Sequence, residues 1–96
     1  DGLMRWQFQQ LTAAQLASAI APQTPAGSQL ALAQANGGTV RLRWYCVPPV
    51  ATTGLELQDG GDPTLIPDPI ALRNAQFILA SGAPTVDIHF GLSVES

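Results

Sequence analysis

The chain has 96 residues, enough for one small domain, and 46% of them are hydrophobic, which excludes a disordered tail. Only 11% are charged, against about 25% in an average domain, and four arginines with no lysine leave a formal net charge of −3. This balance excludes a free-standing nucleic-acid binder and a polybasic membrane patch, because both need clustered positive charge.

The composition predicts a single domain over residues 1–96. The chain starts at Asp1, shows no signal peptide, and has a methionine at position 4 that is not placed as an initiator, so we expect a piece of a larger protein. The longest uncharged run, residues 6–40, is interrupted throughout by Gln, Pro, Gly and Asn, and therefore does not predict membrane insertion.

The first predicted element is a strand over residues 3–9, where side chains alternate with the two-residue period of a half-buried β-strand. Met4, Trp6 and Phe8 share one face of it. We predict that this face points inward and that Trp6 and Phe8 belong to the core.

A short capped helix is predicted for residues 13–21. Thr12 followed three residues later by Gln15 matches a capping box, in which each residue bonds the other's backbone N–H. Leu11 and Leu16 stand where a hydrophobic staple would place them, and a proline follows the segment. A helix of this size needs a sheet to pack on.

Residues 28–35 are compatible with two structures. As a strand they place Leu30 and Leu32 on one face, and Asn36-Gly37 then makes a hairpin with the next strand, since both residues tolerate a positive φ. As a helix they have Ser28 as the N-cap and Gly37 just past the end. Helix propensity favours the second structure and turn chemistry the first; we favour the hairpin and keep the helix as the alternative.

The rest of the chain predicts further strands at residues 39–47, 55–57 and 85–94, with a short apolar segment at 76–80. Turns are predicted at 59–63 and 81–84, where Gly and Pro cluster. Asp68 and Pro69 suit the N-cap and first position of a single helical turn.

These elements predict a mainly β fold, an antiparallel sandwich or partly open barrel with one short capped helix near residues 13–21. The large aromatic side chains with inward parity are the predicted core: Trp6, Phe8, Trp44 and Phe90.

No motif predicts catalysis. Cys46 and His89 each occur once, no G-x-S-x-G sequence is present, and Cys46 lies in an apolar run typical of a buried structural thiol. Asp87 shares a strand face with His89, and pairing of Asp87 across strands with Arg41 or Arg43 would be ordinary sheet chemistry, so a polar surface face is the preferred interpretation. We therefore expect a protein that is not an enzyme.

Asp59, Asp62 and Asp68 form the only metal-like group of residues in the sequence. Asp-Gly turns can supply the oxygen ligands that calcium prefers, but the spacing lacks the order of an EF-hand. A solvated turn is the preferred interpretation, and calcium is the only cofactor to consider.

The low surface charge favours association with other copies of the same protein. Our first hypothesis is a structural assembly module, a surface-projecting domain of a viral capsid or similar shell, located at the virion surface or outside the cell. Arg41, Arg43 and Tyr45 have outward parity and are its candidate interaction residues. The alternative is an extracellular ligand- or carbohydrate-binding domain with Trp6, Trp44 or Tyr45 as a platform.

Overall fold

The computed structural model describes residues 4–43 and 55–93 and shows one mainly antiparallel sheet with a short α-helix. Its elements are β1 (Met4–Leu11), a 3₁₀ turn (Gln15–Ala17), β2 (Ser28–Arg43), β3 (Leu55–Leu57), β4 (Thr64–Ile66), α1 (Pro69–Asn74) and β5 (Gln76–Ser93). The strand order is β1-β5-β2-β3, with β4 also beside β2, and every pairing is antiparallel. The predicted fold class is confirmed.

Two long strands organise the sheet: β2 has 16 residues and β5 has 18. The first half of β2 pairs with the second half of β5, and their other halves pair beyond a pair of β-bulges near Gly38 and Val40. In the part of the sheet where the first half of β2 meets the second half of β5, β4 pairs with β2 and β1 pairs with β5. In the other part, β3 pairs with β2.

The bulges lie where glycines of the two long strands meet. Gly37 and Gly82 have positive φ angles of 88° and 74°, and Gly38 lies directly opposite Gly82. The predicted hairpin turn at Asn36-Gly37 is therefore wrong, and so is the predicted break at residues 81–84. A hairpin and a bulge both need a positive φ, and the pairing with β5 makes this position a bulge inside a continuous strand.

The strand prediction for residues 28–35 is confirmed and the helical alternative is wrong. Alternate residues Ala31, Ala33 and Ala35 are buried, whereas Leu30 and Leu32 lie half-buried on the other face. Alanine suits this central strand because a bulky neighbour, Phe90, lies directly opposite Ala31.

The bulges reverse the parity of the buried positions, so that both halves of the bent sheet face one core. From Ala31 onward, buried positions in β2 are odd-numbered before the bulges and even-numbered after them. The core cluster unites side chains from every element: Leu11, Leu16, Ala31, Ala33, Ala35, Val40, Leu42, Leu57, Ile66, Ala71, Leu72, Ala75, Phe77, Val86, Ile88, Phe90 and Leu92. One open sheet therefore wraps a single core.

The predicted helix at residues 13–21 is wrong in extent, because only one 3₁₀ turn forms there, at Gln15–Ala17. The reciprocal capping bonds are present: the Thr12 N–H donates to Gln15 Oε1 at 2.8 Å, and the Gln15 N–H donates to Thr12 Oγ1 at 3.4 Å. The helix does not continue because Ile20 exchanges two backbone hydrogen bonds with Phe77, at 2.9 and 2.8 Å. The local capping bonds stabilise the start of the turn, and the backbone pairing of Ile20 with Phe77 prevents a longer helix.

The helical turn predicted at Asp68 is confirmed as α1. Asp68 Oδ1 accepts a hydrogen bond from the Ala71 N–H at 2.8 Å, and Pro69 occupies the first turn, where its missing N–H costs nothing. The helix buries Ala71 and Leu72 against the sheet.

The remaining strand predictions are confirmed within the described residues. Residues 39–43 extend β2 with Val40 and Leu42 buried, residues 55–57 form β3, and residues 85–93 form the end of β5. Trp44, Tyr45, Cys46 and Val94, with the predictions made for them, lie outside the described residues. The turn predicted in this region is present at residues 59–60. Strand β4 was not predicted.

Candidate functional site

The candidate site is the outer face of edge strand β1. Gln7 lies opposite Phe90, Gln9 opposite Ile88, and Leu11 opposite Val86. Since directly opposed residues share a face, the core side of β1 carries its odd-numbered residues.

Trp6 and Phe8 therefore lie on the outer face of the sheet, where they are 53% and 59% exposed. The prediction that they belong to the core is wrong. The pairing register with β5, which decides which side of β1 turns inward, depends on residues about 80 positions away.

Phe8 and Trp6 begin two rows of side chains that cross the sheet. Phe8 lies opposite His89, His89 opposite Leu32, and Leu32 opposite Leu65, so one row spans β1, β5, β2 and β4. Beside it, Trp6 lies opposite Gly91, which lies opposite Leu30. We name as the aromatic face the side chains of these rows: Trp6, Phe8, Leu30, Leu32, Leu65 and His89.

The aromatic face is exposed and internally packed. The Phe8 and His89 rings lie 5.1 Å apart between centroids with a 48° tilt, a favourable aromatic geometry. Leu65 is 49% exposed, His89 is also exposed, and Leu30 and Leu32 are half-buried. An exposed apolar group of this kind is typical of an interaction surface.

A polar group adjoins the aromatic face around Asp87. Gln10 Nε2 donates to Asp87 Oδ1 at 2.9 Å, and Asn36 Nδ2 donates to Asp87 Oδ2 at 3.3 Å. Asp87 does not pair with Arg41 or Arg43: it lies opposite Gln34, whereas the two arginines lie opposite the other half of β5.

Arg41 and Arg43 lie on the other half of the bent sheet, away from the aromatic face. Arg41 lies opposite Glu56 of β3, and its Nη2 is 3.5 Å from Glu56 Oε2. Both arginines are half-buried. The structure therefore does not join these two candidate interaction residues to the exposed aromatic side chains.

The three carboxylates of the calcium hypothesis have separate positions. Asp59 Oδ1 accepts from the Gly37 N–H at 2.9 Å and so ties the 59–60 turn to the bulge of β2. Asp68 caps α1, and Asp62 is exposed. Among the residues that the structure describes, no three His, Cys, Asp or Glu side chains are grouped so that they could hold a metal.

A separate feature is a cleft of about 430 Å³ between residues 24–28 and one side of α1. Its lining carries one charged side chain, Arg73. Within the described residues every buried side-chain nitrogen and oxygen has a hydrogen-bond partner, so none points unpaired into this cleft. The aromatic face is the better candidate.

The sequence held one signal that separates Leu11 from Trp6 and Phe8, but this signal does not say which of the two faces turns inward. Leu11 ends β1, is 3% exposed, and shares the parity of Gln7 and Gln9. If the predicted strand is extended to Leu11, Trp6 and Phe8 fall on the face opposite to Leu11. Assigning Leu11 to the helix cap hid that signal.

Comparison with protein-family models, curated proteins and solved structures found no match to this chain. In the described part of the chain, no helix has the length and apolar character needed to cross a membrane.

Proposed function

We propose that this domain is a non-catalytic module that associates with other copies of the same protein through the aromatic face. The observation that carries the proposal is the pair Trp6 and Phe8, each more than half exposed and adjacent on one face of an edge strand. Tryptophan and phenylalanine are enriched at the centres of protein interfaces, where large side chains are fully removed from water.

Trp6 and Phe8 leave a large apolar area in contact with water. An aromatic side chain buries roughly 150–250 Å², so half exposure leaves about 100 Å² each for Trp6 and Phe8. At about 25 cal/mol per Å², covering each ring contributes about 2.5 kcal/mol to association before the entropic costs. A chain with only 11% charged residues has little electrostatic repulsion to oppose such contact.

We expect the wild-type protein to show a concentration-dependent rise in sedimentation coefficient, and Trp6→Ala or Phe8→Ala to weaken that self-association at least about tenfold. Analytical ultracentrifugation over micromolar to millimolar concentrations measures this. Ile70→Ala is the matched control, because Ile70 is 64% exposed on α1, outside the aromatic face. A wild-type monomer at all concentrations, or an equal effect of Ile70→Ala, contradicts the proposal.

The most specific form of this function is a surface-projecting domain of a viral capsid or similar multi-subunit shell, acting at the virion surface or outside the cell. What supports this form is the low charge of a β domain whose polar residues are largely Gln and Thr. Such a surface favours contact between subunits over dispersal in solution.

Carbohydrate binding is the second candidate function, and the exposure of Trp6 favours it. An exposed indole ring offers a flat platform for a sugar ring, and the amides of Gln10 and Asn36 beside Asp87 lie on the same face of the sheet. Binding sites of this type combine an apolar platform with a few placed polar groups.

For this second function we expect slower migration in native gels that contain a soluble cellulose derivative, xylan or mannan. Trp6→Ala should abolish the retardation, whereas Ile70→Ala should keep it. Unchanged mobility of the wild-type protein in all three polysaccharides speaks against carbohydrate binding and leaves self-association as the function of the face.

A further inference from the structure

We propose that two copies of this chain associate by pairing β1 with β1 in antiparallel orientation, centred on Gln7, so that the two sheets join into one. This inference rests on the proposed self-association and specifies its geometry. The partner is a second copy, and the contact is the backbone edge of β1 together with Trp6 and Phe8.

The edge of β1 is the first reason. Within the described residues, β1 pairs with β5 on one side and lies at the end of the strand order. An edge strand presents unpaired N–H and C=O groups on its outer side, and these can form hydrogen bonds with a strand of a second molecule.

Natural edge strands are usually protected, and β1 has few of the protecting features. Protection comes from short length, charge, proline or a bulge. β1 has eight residues, its only charged residue is Arg5, it contains no proline, and its register with β5 is unbroken. By contrast, β3 at the opposite end of the sheet has three residues, with Glu56 in the middle.

The sequence of β1 is complementary to itself in one register. With Gln7 opposite Gln7 of the second copy, Trp6 lies opposite the second copy's Phe8, and Phe8 opposite its Trp6. Both aromatic side chains then have an aromatic partner directly across the strand, and such pairs are among the stabilising ones in sheets. Arg5 lies opposite an uncharged residue, Gln9, so the two positive charges are kept apart.

Neighbouring registers are less favourable. A pairing centred on Trp6 keeps a Trp6–Trp6 pair but places Phe8 opposite Met4. One centred on Phe8 keeps a Phe8–Phe8 pair but places Trp6 opposite Gln10, so each has one aromatic pair instead of two. A slip by a single residue sends the two aromatic faces to opposite sides of the joined sheet. The register centred on Gln7 pairs both aromatic residues and uses residues 4–10 of the strand.

The size of this contact indicates a weak dimer. Seven paired residues span about 23 Å. With a width of roughly 10 Å across the paired edge and its side chains, this contact covers about 230 Å², well below the roughly 800 Å² per partner of a standard stable interface. We therefore expect a dimer with a micromolar or weaker dissociation constant, reached through the backbone edge and the two aromatic pairs.

Disulfide cross-linking tests the register. In a Cys46→Ser background, which removes the only native thiol, Gln7→Cys should form a covalent dimer under mild oxidation. Residues opposite each other in antiparallel strands have Cα atoms about 4.5–5.5 Å apart, within the range that a disulfide spans. Arg5→Cys alone should cross-link at least about tenfold more slowly, because its two copies lie about 13 Å apart along the paired strands.

Mixing Arg5→Cys with Gln9→Cys provides a positive control for the same register, since these positions lie opposite each other, and the mixed dimer should form. Circular dichroism confirms that each variant keeps the wild-type sheet. Self-association with equal cross-linking rates for Gln7→Cys and Arg5→Cys overturns the register while leaving the proposed function standing. A wild-type protein that stays monomeric in the ultracentrifuge overturns both.

Discussion

Replacing Phe77 by alanine is expected to lower the free energy of unfolding by about 3–5 kcal/mol, because it removes one of the largest fully buried side chains and leaves a cavity in the core. Phe77 is 0% exposed and lies at the start of β5, between Leu42 on one side and Ile20 on the other. A domain of this size has about 5–14 kcal/mol of total stability, so the loss is about a fifth of it or more. Urea unfolding and a thermal melt measure it, and we expect Tm to fall by about 15–30 °C.

Phe8→Ala is the matched control, since the same chemical change is made at a residue that is 59% exposed. The Phe8 ring lies mainly in water and packs on the His89 ring, so we expect a loss below about 1.5 kcal/mol. Both variants should be measured at low protein concentration, where self-association does not contribute. Equal losses for the two variants would show that Phe8 and Phe77 do not differ in burial.

Gly38→Ala is expected to destabilise the domain by about 1–3 kcal/mol or more, because no space exists for a methyl group where β2 and β5 meet. A Cβ on Gly38 would collide with the carbonyl oxygen of Ser81 and stand 3.0 Å from Cδ of Pro84. The Ser81 oxygen belongs to the paired backbone of β5, so it can move only if the strands separate at the bulge. Urea unfolding measures the loss, and amide hydrogen exchange shows whether protection falls first around the bulge.

Gly60→Ala separates steric collision from backbone strain. Gly60 has a positive φ of 68°, and a Cβ there meets nothing within 4 Å. The expected cost is therefore the conformational penalty alone, about 1–2 kcal/mol. If Gly38→Ala proves less destabilising than Gly60→Ala, then the two long strands do not approach as closely as the structure shows.

Local chemistry predicted the elements that depend on neighbours in sequence. The capping bonds between Thr12 and Gln15, and the cap of α1 by Asp68, involve residues three apart, so the motif alone specifies them. The alternation of residues 85–92 likewise predicted which side chains of β5 are buried, because the apolar residues there all fall on one parity.

The wrong predictions have a common cause, which is that their outcome depended on distant partners. The sequence Asn36-Gly37 is compatible with a hairpin turn or a β-bulge, and the pairing of β2 with β5 on both sides of this position produces the bulge. The helix after Thr12 was limited to one turn because Ile20 bonds to Phe77, 57 residues later (77 − 20). In both cases a local preference was satisfied, and a long-range backbone pairing determined what followed from it.

By itself, the sequence determined that this is a small, weakly charged β domain with capped turns, since composition, alternation and capping are local properties. Only the tertiary structure decided where Trp6 and Phe8 lie, and hence where the candidate site is. Alternation shows that a strand has two different faces, but the register against β5 selects the one that turns inward. In β1 that register turned Gln7 and Gln9 toward the core side and left the two aromatic rings largely in water.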